Sequence, residues 1–137
     1  MKRLKLSVIA DALEETMDGW EQFYNTDTGE VESIPVDNGL ADMDVFAETA
    51  ERIENSRAYV RIPNQYEIHE YEIMMSFAKY KKSDNLCSIL NQPKPYRHFK
   101  TAIIRLRCER EYYAFRHSAY IGIVRDWCED HGIPYTM

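Results

Sequence analysis

Residues 96–135 read YRHFKTAIIRLRCEREYYAFRHSAYIGIVRDWCEDHGIPY, two helical patterns in tandem that hold much of the chain's aromatic and basic content. Wound at about 100° per residue, the second pattern places Tyr112, Tyr113, Ala119, Tyr120, Ile123, Val124 and Trp127 on one broad face. Ala114, His117, Ser118, Arg125 and Glu129 fall opposite that face or at its edges. An apolar stripe of this width is what a helix buries against a core. Gly132, free to take the left-handed cap conformation, and Pro134, unable to continue a helix, mark the stop. Arg116 breaks the pattern, because it lies near the middle of the aromatic face.

A guanidinium in that position must reach water past its neighbours or meet a carboxylate, since a buried unpaired charge costs several kcal/mol. The helical pattern from Tyr66 to Tyr80 carries the matching misfit. Its apolar face is Tyr66, Ile73, Met74 and Phe77, with Glu70 at the centre and Glu67, His69 and Glu72 off the face. Glu70 and Arg116 are therefore expected to pair where the two helices pack. Such a pair fixes helix register, but charges set in apolar clefts also mark binding or catalytic sites, so both roles stay open.

Working outward, Leu6, Ile9, Ala10, Leu13 and Met17 predict a short amphipathic helix with Ser7 as its N-cap and Asp18-Gly19 at its end. Trp20–Asn25 and Glu30–Pro35 read as strands joined by the turn Thr26-Asp27-Thr28-Gly29. A loop at Val36-Asp37-Asn38-Gly39 precedes a second helix marked by Met43, Phe46, Ala50 and Ile53, acidic on its outer face and broken at Asn55-Ser56. Ala58–Ile62 reads as a third strand stopped by Pro63, and Ser83 or Asp84 caps a short helix running through Leu90. The helix from Tyr96 to about Arg107 is expected to bury Tyr96, Phe99, Ala102, Ile103 and Leu106, with Lys94, Arg97, Lys100, Arg105 and Arg107 outside. The fold expected is α+β and mainly helical: a single globular domain, residues 1–137, in which an N-terminal hairpin plus a third strand form a small antiparallel sheet packed against helices.

The net charge of −6 hides a division. Residues 1–55 carry 4 Lys+Arg against 14 Asp+Glu, while residues 79–125 carry 11 against 3. Such asymmetry points to an acidic partner, to attraction between the two halves, or simply to unlike solvated faces. No apolar run approaches the ~20 residues that span a bilayer, and acidic residues from Asp11 interrupt the basic start MKRLKLSVIADALEE. No membrane association and a cytoplasmic location are expected. Cys87, Cys108 and Cys128, odd in number and far apart, fit free thiols.

The segments IPNQYEIHEYEIMMSF (62–77), RHFKTAIIRL (97–106) and EYYAFRHSAYIGIVRDWCEDHGIPY (111–135), with LKLSVIADALE and NTDTGEV near the start, resemble the bacterial uncharacterised protein family UPF0158. The likeness spans nearly the whole chain, and the Arg-x-Phe-Lys and Tyr-Ala-Phe-Arg segments carry it most specifically. Lys94-Pro95-Tyr96 stands where members often have Gly-Ala-Phe. The resemblance implies a bacterial, cytoplasmic setting and no catalytic residues, because the family has no established activity.

Chemistry-bearing motifs are sparse. The best metal-ligand spacing is Cys128-x-x-His131, with His117 and Cys108 as distant partners, and no second close pair completes it. No phosphate-binding glycine loop or nucleophile elbow is present. Neither metal nor other cofactor is expected. The primary expectation is a non-enzymatic binding or regulatory domain acting through a protein partner or by self-association. Arg97, Lys100, Ile104 and Arg105 are the binding candidates, with Ile121 as a second apolar residue on a polar face. The first alternative is nucleic-acid binding through the basic helical face 79–110, where Lys79, Lys81, Lys82 and Arg107 add charge and Tyr80 and Tyr96 add rings. Against it stand the acidic first half and the placing of Tyr96 on an apolar face. The second alternative is a small enzyme with a cleft around Glu70 as general base and Arg116 as anion anchor.

Overall fold

The computed structural model describes residues 3–17, 19–36 and 43–137. Asp18, and Asp37, Asn38 and Gly39 of the expected loop, lie outside the described residues. The architecture is mainly helical α+β, and the chain divides into two compact units, residues 1–68 with 121–137, and residues 69–120.

In the first unit, β1 (Leu4–Lys5) pairs in parallel with β5 (Tyr135–Thr136), Leu4 lying opposite Tyr135. The chain passes from extended Lys5 straight into α1 (Leu6–Glu14), so Ser7 sits inside the helix and caps nothing, contrary to the sequence expectation. Strand pairing at residues 4–5 fixes the helix start before Ser7 is reached. α1 buries Leu6, Ile9, Ala10, Ala12 and Leu13, at the spacing of a core-facing stripe. It ends short of Met17, which is exposed rather than part of that stripe.

The three-stranded antiparallel sheet has order β3-β2-β4, with β2 (Trp20–Asn25) between β3 (Val31–Pro35) and β4 (Tyr59–Arg61). In the hairpin turn, Asn25 Oδ1 accepts from the N–H groups of Asp27 and Thr28 at 2.8 and 3.1 Å, and Gly29 takes φ 80°. A 3₁₀ turn at Met43–Phe46 leads into α2 (Ala47–Asn55), where Glu48, Glu51 and Glu54 form the expected acidic outer face. α3 (Gln65–Ile68) opens with a reciprocal cap: Asn64 Oδ1 accepts from the Glu67 N–H, and the Glu67 carboxylate accepts from the Asn64 N–H, both at 2.9 Å.

The last helix, α7 (Glu109–Asp130), contributes residues 121–130 to this unit. There Trp127 meets Tyr24 edge-on at 6.1 Å, and its Nε1–H donates to the Arg61 carbonyl at 2.9 Å, which fastens the sheet to the helix. Gly132 at φ 65° closes α7 as expected: its own N–H reaches the Glu129 carbonyl and that of Ile133 reaches Cys128.

The second unit comprises α4 (Glu70–Tyr80), α5 (Asp84–Leu90), α6 (Pro95–Arg105) and α7 as far as Tyr120. The helix expected from Tyr66 to Tyr80 is interrupted. His69 adopts φ 55°, ψ 55°, a left-handed residue that resets the winding, so Tyr66 belongs to α3 and is exposed instead of sharing a face with Ile73. Ser83 caps α5, its Oγ accepting from the Leu86 N–H at 3.2 Å. Phe77, Phe99 and Tyr112 form the centre of the core, Tyr112 lying 5.3 Å from Phe77 and 5.0 Å from Phe99 in edge-on contacts.

α6 buries Phe99, Ala102 and Ile103, but Tyr96 and Leu106, expected inside, are 45% and 44% exposed. Tyr96 stands in the first turn beside left-handed Lys94, and Leu106 lies beyond the last helical residue, where Arg107 turns the chain at φ 58°. Each helix of this unit starts within two residues of a non-glycine left-handed position: His69, Lys82, Lys94 and Arg107, with φ from 53° to 58°.

Candidate binding surface

α4 and α7 carry the misfit charges to one place. Arg116 Nη1 donates to Glu70 Oε1 at 3.3 Å, and the two side chains are only 17% and 19% exposed. The guanidinium also lies 4.7 Å from the ring centre of Tyr113 and 5.4 Å from that of Tyr120, which adds cation–π attraction. Burial works against the Arg116 charge, but Tyr120, Glu70 and Tyr112 outweigh it, and its pKa is raised. Tyr112, fully buried nearby, has a hydroxyl with no hydrogen-bond partner among the described residues. Burial first, then the Glu70 charge, drives its pKa upward. This constellation ties α4 to α7. A carboxylate already accepting from a guanidinium is poorly placed to act as a general base.

The cationic surface lies elsewhere in the same unit. Residues 69–120 hold 10 Lys+Arg against 5 Asp+Glu, a net +5, whereas the first unit holds 7 against 18, or −11. Inward packing of Phe99, Ala102 and Ile103 turns the opposite side of α6 to solvent, so Arg97, Lys100, Ile104 and Arg105 are brought together there, all exposed. Arg105 Nη2 donates to Asn85 Oδ1 at 3.3 Å, which links α6 to α5. Between these helices runs an open groove of about 340 Å³, with Asn85, Ser88 and Gln92 facing His98, Thr101 and Arg105, and no carboxylate among its lining residues. A second open groove, about 700 Å³, has Lys81, Arg107 and Arg110 around Leu106 and Cys108; its one acid, Glu111, is engaged by Lys81 at 2.7 Å. Lys79, Lys82 and Tyr80 are exposed as well, although Tyr80 stacks on Phe115 at 5.8 Å. Ile121 is half-buried and is not a second exposed apolar residue.

Sequence reasoning missed the neutral polar wall Asn85, Ser88 and Gln92. Of the facing wall it named only Arg105, although His98, Thr101 and Arg105 recur at helical spacing on α6. The cysteines are free thiols, Cys108 and Cys128 buried and Cys87 partly so. His131 Nδ1 lies 2.9 Å from the Trp127 carbonyl, so that nitrogen carries the proton. Among the described residues no group of three His, Cys, Asp or Glu side chains is placed to hold a metal ion, and no helix is long and apolar enough to cross a membrane. Comparison of the chain with protein families, with curated proteins and with solved structures finds no match.

Proposed function

We propose that the chain is a non-enzymatic binding or regulatory protein whose second unit takes nucleic acid through α6 and the groove beside it. The observation that carries this reading is the groove lined by Asn85, Ser88, Gln92, His98, Thr101 and Arg105, with no carboxylate in its lining, beside exposed Arg97 and Lys100 of the same helix. Arg and Lys meet phosphate by charge, and Ser, Thr, Asn and Gln meet it by hydrogen bonding. The sequence-based objection that Tyr96 faces the core falls away, since Tyr96 is exposed. With a whole-chain charge of −6, bulk attraction does not draw the protein to phosphates, so binding must come from this local surface. A protein partner, or a second copy of the chain, is the other reading, and exposed Ile104 and Leu106 favour it. The segments quoted above support membership of the UPF0158 family and with it a bacterial cytoplasmic setting.

The test is fluorescence anisotropy of labelled DNA and RNA against the full chain across a salt series. Roughly micromolar binding at low salt, falling steeply as salt rises, is expected, together with its loss in Arg97→Ala/Arg105→Ala. Absence of binding at low salt, or binding indifferent to that double substitution, refutes the reading.

A further inference from the structure

We infer that α5 and α6 act as a helix-turn-helix, with α6 entering the major groove of B-form DNA; this rests on the nucleic-acid reading above and narrows it to one target. The two helices are joined by the short connection Asn91–Lys94. Leu86 and Leu90 of α5 share a core with Phe99, Ala102 and Ile103 of α6 and with Met74, Phe77 and Ala78 of α4. A first helix anchored on one side and steadying a second, whose far side is open, is the arrangement by which such motifs present a recognition helix.

The dimensions and the chemistry agree. α6 has 11 residues, so it is about 16 Å long, and a helix of ordinary diameter fits a groove about 12 Å wide. Arg97, Lys100, Thr101 and Ile104 stand at i, i+3, i+4 and i+7 on its exposed side. An arginine fork or a lysine suits guanine O6 and N7, threonine suits either donor or acceptor edges, and an aliphatic side chain suits the thymine methyl group. Ile104, 61% exposed among cations, thereby gains a use that phosphate binding alone does not give it. Lys94 at the N-terminus of α6, and Arg105 held by Asn85, are placed for the backbone on either side.

Two other nucleic-acid targets fit less well. A single strand is held by successive bases stacked on aromatic rings, and Tyr80 already gives one face to Phe115, leaving Tyr96 as the free platform on this surface. Duplex RNA offers a major groove too deep and narrow for side chains to read.

The experiment titrates the full chain with mixed-sequence duplex DNA, duplex RNA and single-stranded DNA at low salt, then selects preferred sites from a random duplex DNA pool. Duplex DNA should bind at least about tenfold more tightly than the other two. On a selected site, Arg97→Ala should lose about tenfold. Ile104→Ala, which removes no charge, should relax sequence preference and leave the salt slope unchanged, whereas Lys94→Ala should weaken all duplexes alike and lower the slope by about one. Arg57→Ala, an exposed cation of the first unit, serves as the unchanged control. Equal or tighter binding of single strands or duplex RNA, or a selection indifferent to Ile104→Ala, overturns the helix-in-groove inference while the nucleic-acid reading stands. No binding of any of the three overturns both.

Discussion

Glu70→Gln and Arg116→Met, alone and together, test whether the misfit charges are held by each other. Breaking a fully buried pair by removing one member costs about 3–5 kcal/mol. Here 17% and 19% of the two side chains remain exposed, so solvent screening lowers the loss to about 2–3 kcal/mol for the change that orphans the carboxylate, Arg116→Met. That variant also forfeits the contacts with Tyr113 and Tyr120, worth about 0.5–1 kcal/mol each. Glu70→Gln should lose less, about 1–2 kcal/mol, because the guanidinium keeps both rings and can still donate to an amide oxygen. With no charge left to orphan, the double variant should fall short of the summed single losses by about 1–2 kcal/mol. Arg116→Lys keeps the charge but lacks the plane that lies over the rings, and should restore only part of the loss. The assay is urea unfolding followed by far-ultraviolet circular dichroism, since both tryptophans, Trp20 and Trp127, belong to the first unit. Additivity within about 0.5 kcal/mol would refute the pairing as an energetic unit.

Other outcomes follow from single groups. Tyr112→Phe removes a buried hydroxyl that has no hydrogen-bond partner among the described residues; it should leave stability unchanged or raise it by up to about 1 kcal/mol, and a loss of stability would show the hydroxyl to be satisfied. Ser83→Ala strips the cap from α5 and should cost about 1 kcal/mol by denaturant midpoint, with Ser83→Asp largely restoring it. The Cys128 thiol is pushed up to about 11, against 9.0, by burial and then by the Glu129 charge. The folded chain thus keeps a proton that the unfolded chain releases. Its contribution is fully present below about pH 9 and is lost as pH rises toward about 11, on the order of 2 kcal/mol in all. Unfolding measured across that range should show a shallower decline in Cys128→Ala.

Much of the architecture could be read from periodicity, because burial imposes a period and a period survives in the sequence. The second hairpin strand showed as alternation, the first by its aromatic content and the third by its stop at Pro63, α7 as a broad aromatic stripe, and Glu70 and Arg116 as charges standing where that logic forbids them. What escaped has no such period. β1 and β5 are two residues each, drawn from opposite ends of the chain, too short to alternate visibly. The break at His69 left no mark, because the apolar spacing from Tyr66 onward continues unchanged across a single reversed residue. Tyr96 and Leu106 keep phase with Phe99 and Ile103 but lie at or beyond the ends of α6, where phase no longer implies burial. The reciprocal Asn64–Glu67 cap, by contrast, was legible in the spacing of those two residues and went unread. The α5–α6 groove depends on two helices meeting, which neither one's pattern records.

The turns between the helices of the second unit set two demands against each other. Glycine takes a left-handed backbone at no steric penalty, whereas a side chain there costs roughly 1 kcal/mol or more. At Lys82, Lys94 and Arg107 the chain carries exposed cations in that conformation. Glycine at those turns would relax the backbone and, with the same change, erase three of the positive charges that make this unit cationic. Backbone strain and charge are thus coupled at the same residues, so a more stable version of this unit, reached by the simplest route, is also a less cationic one.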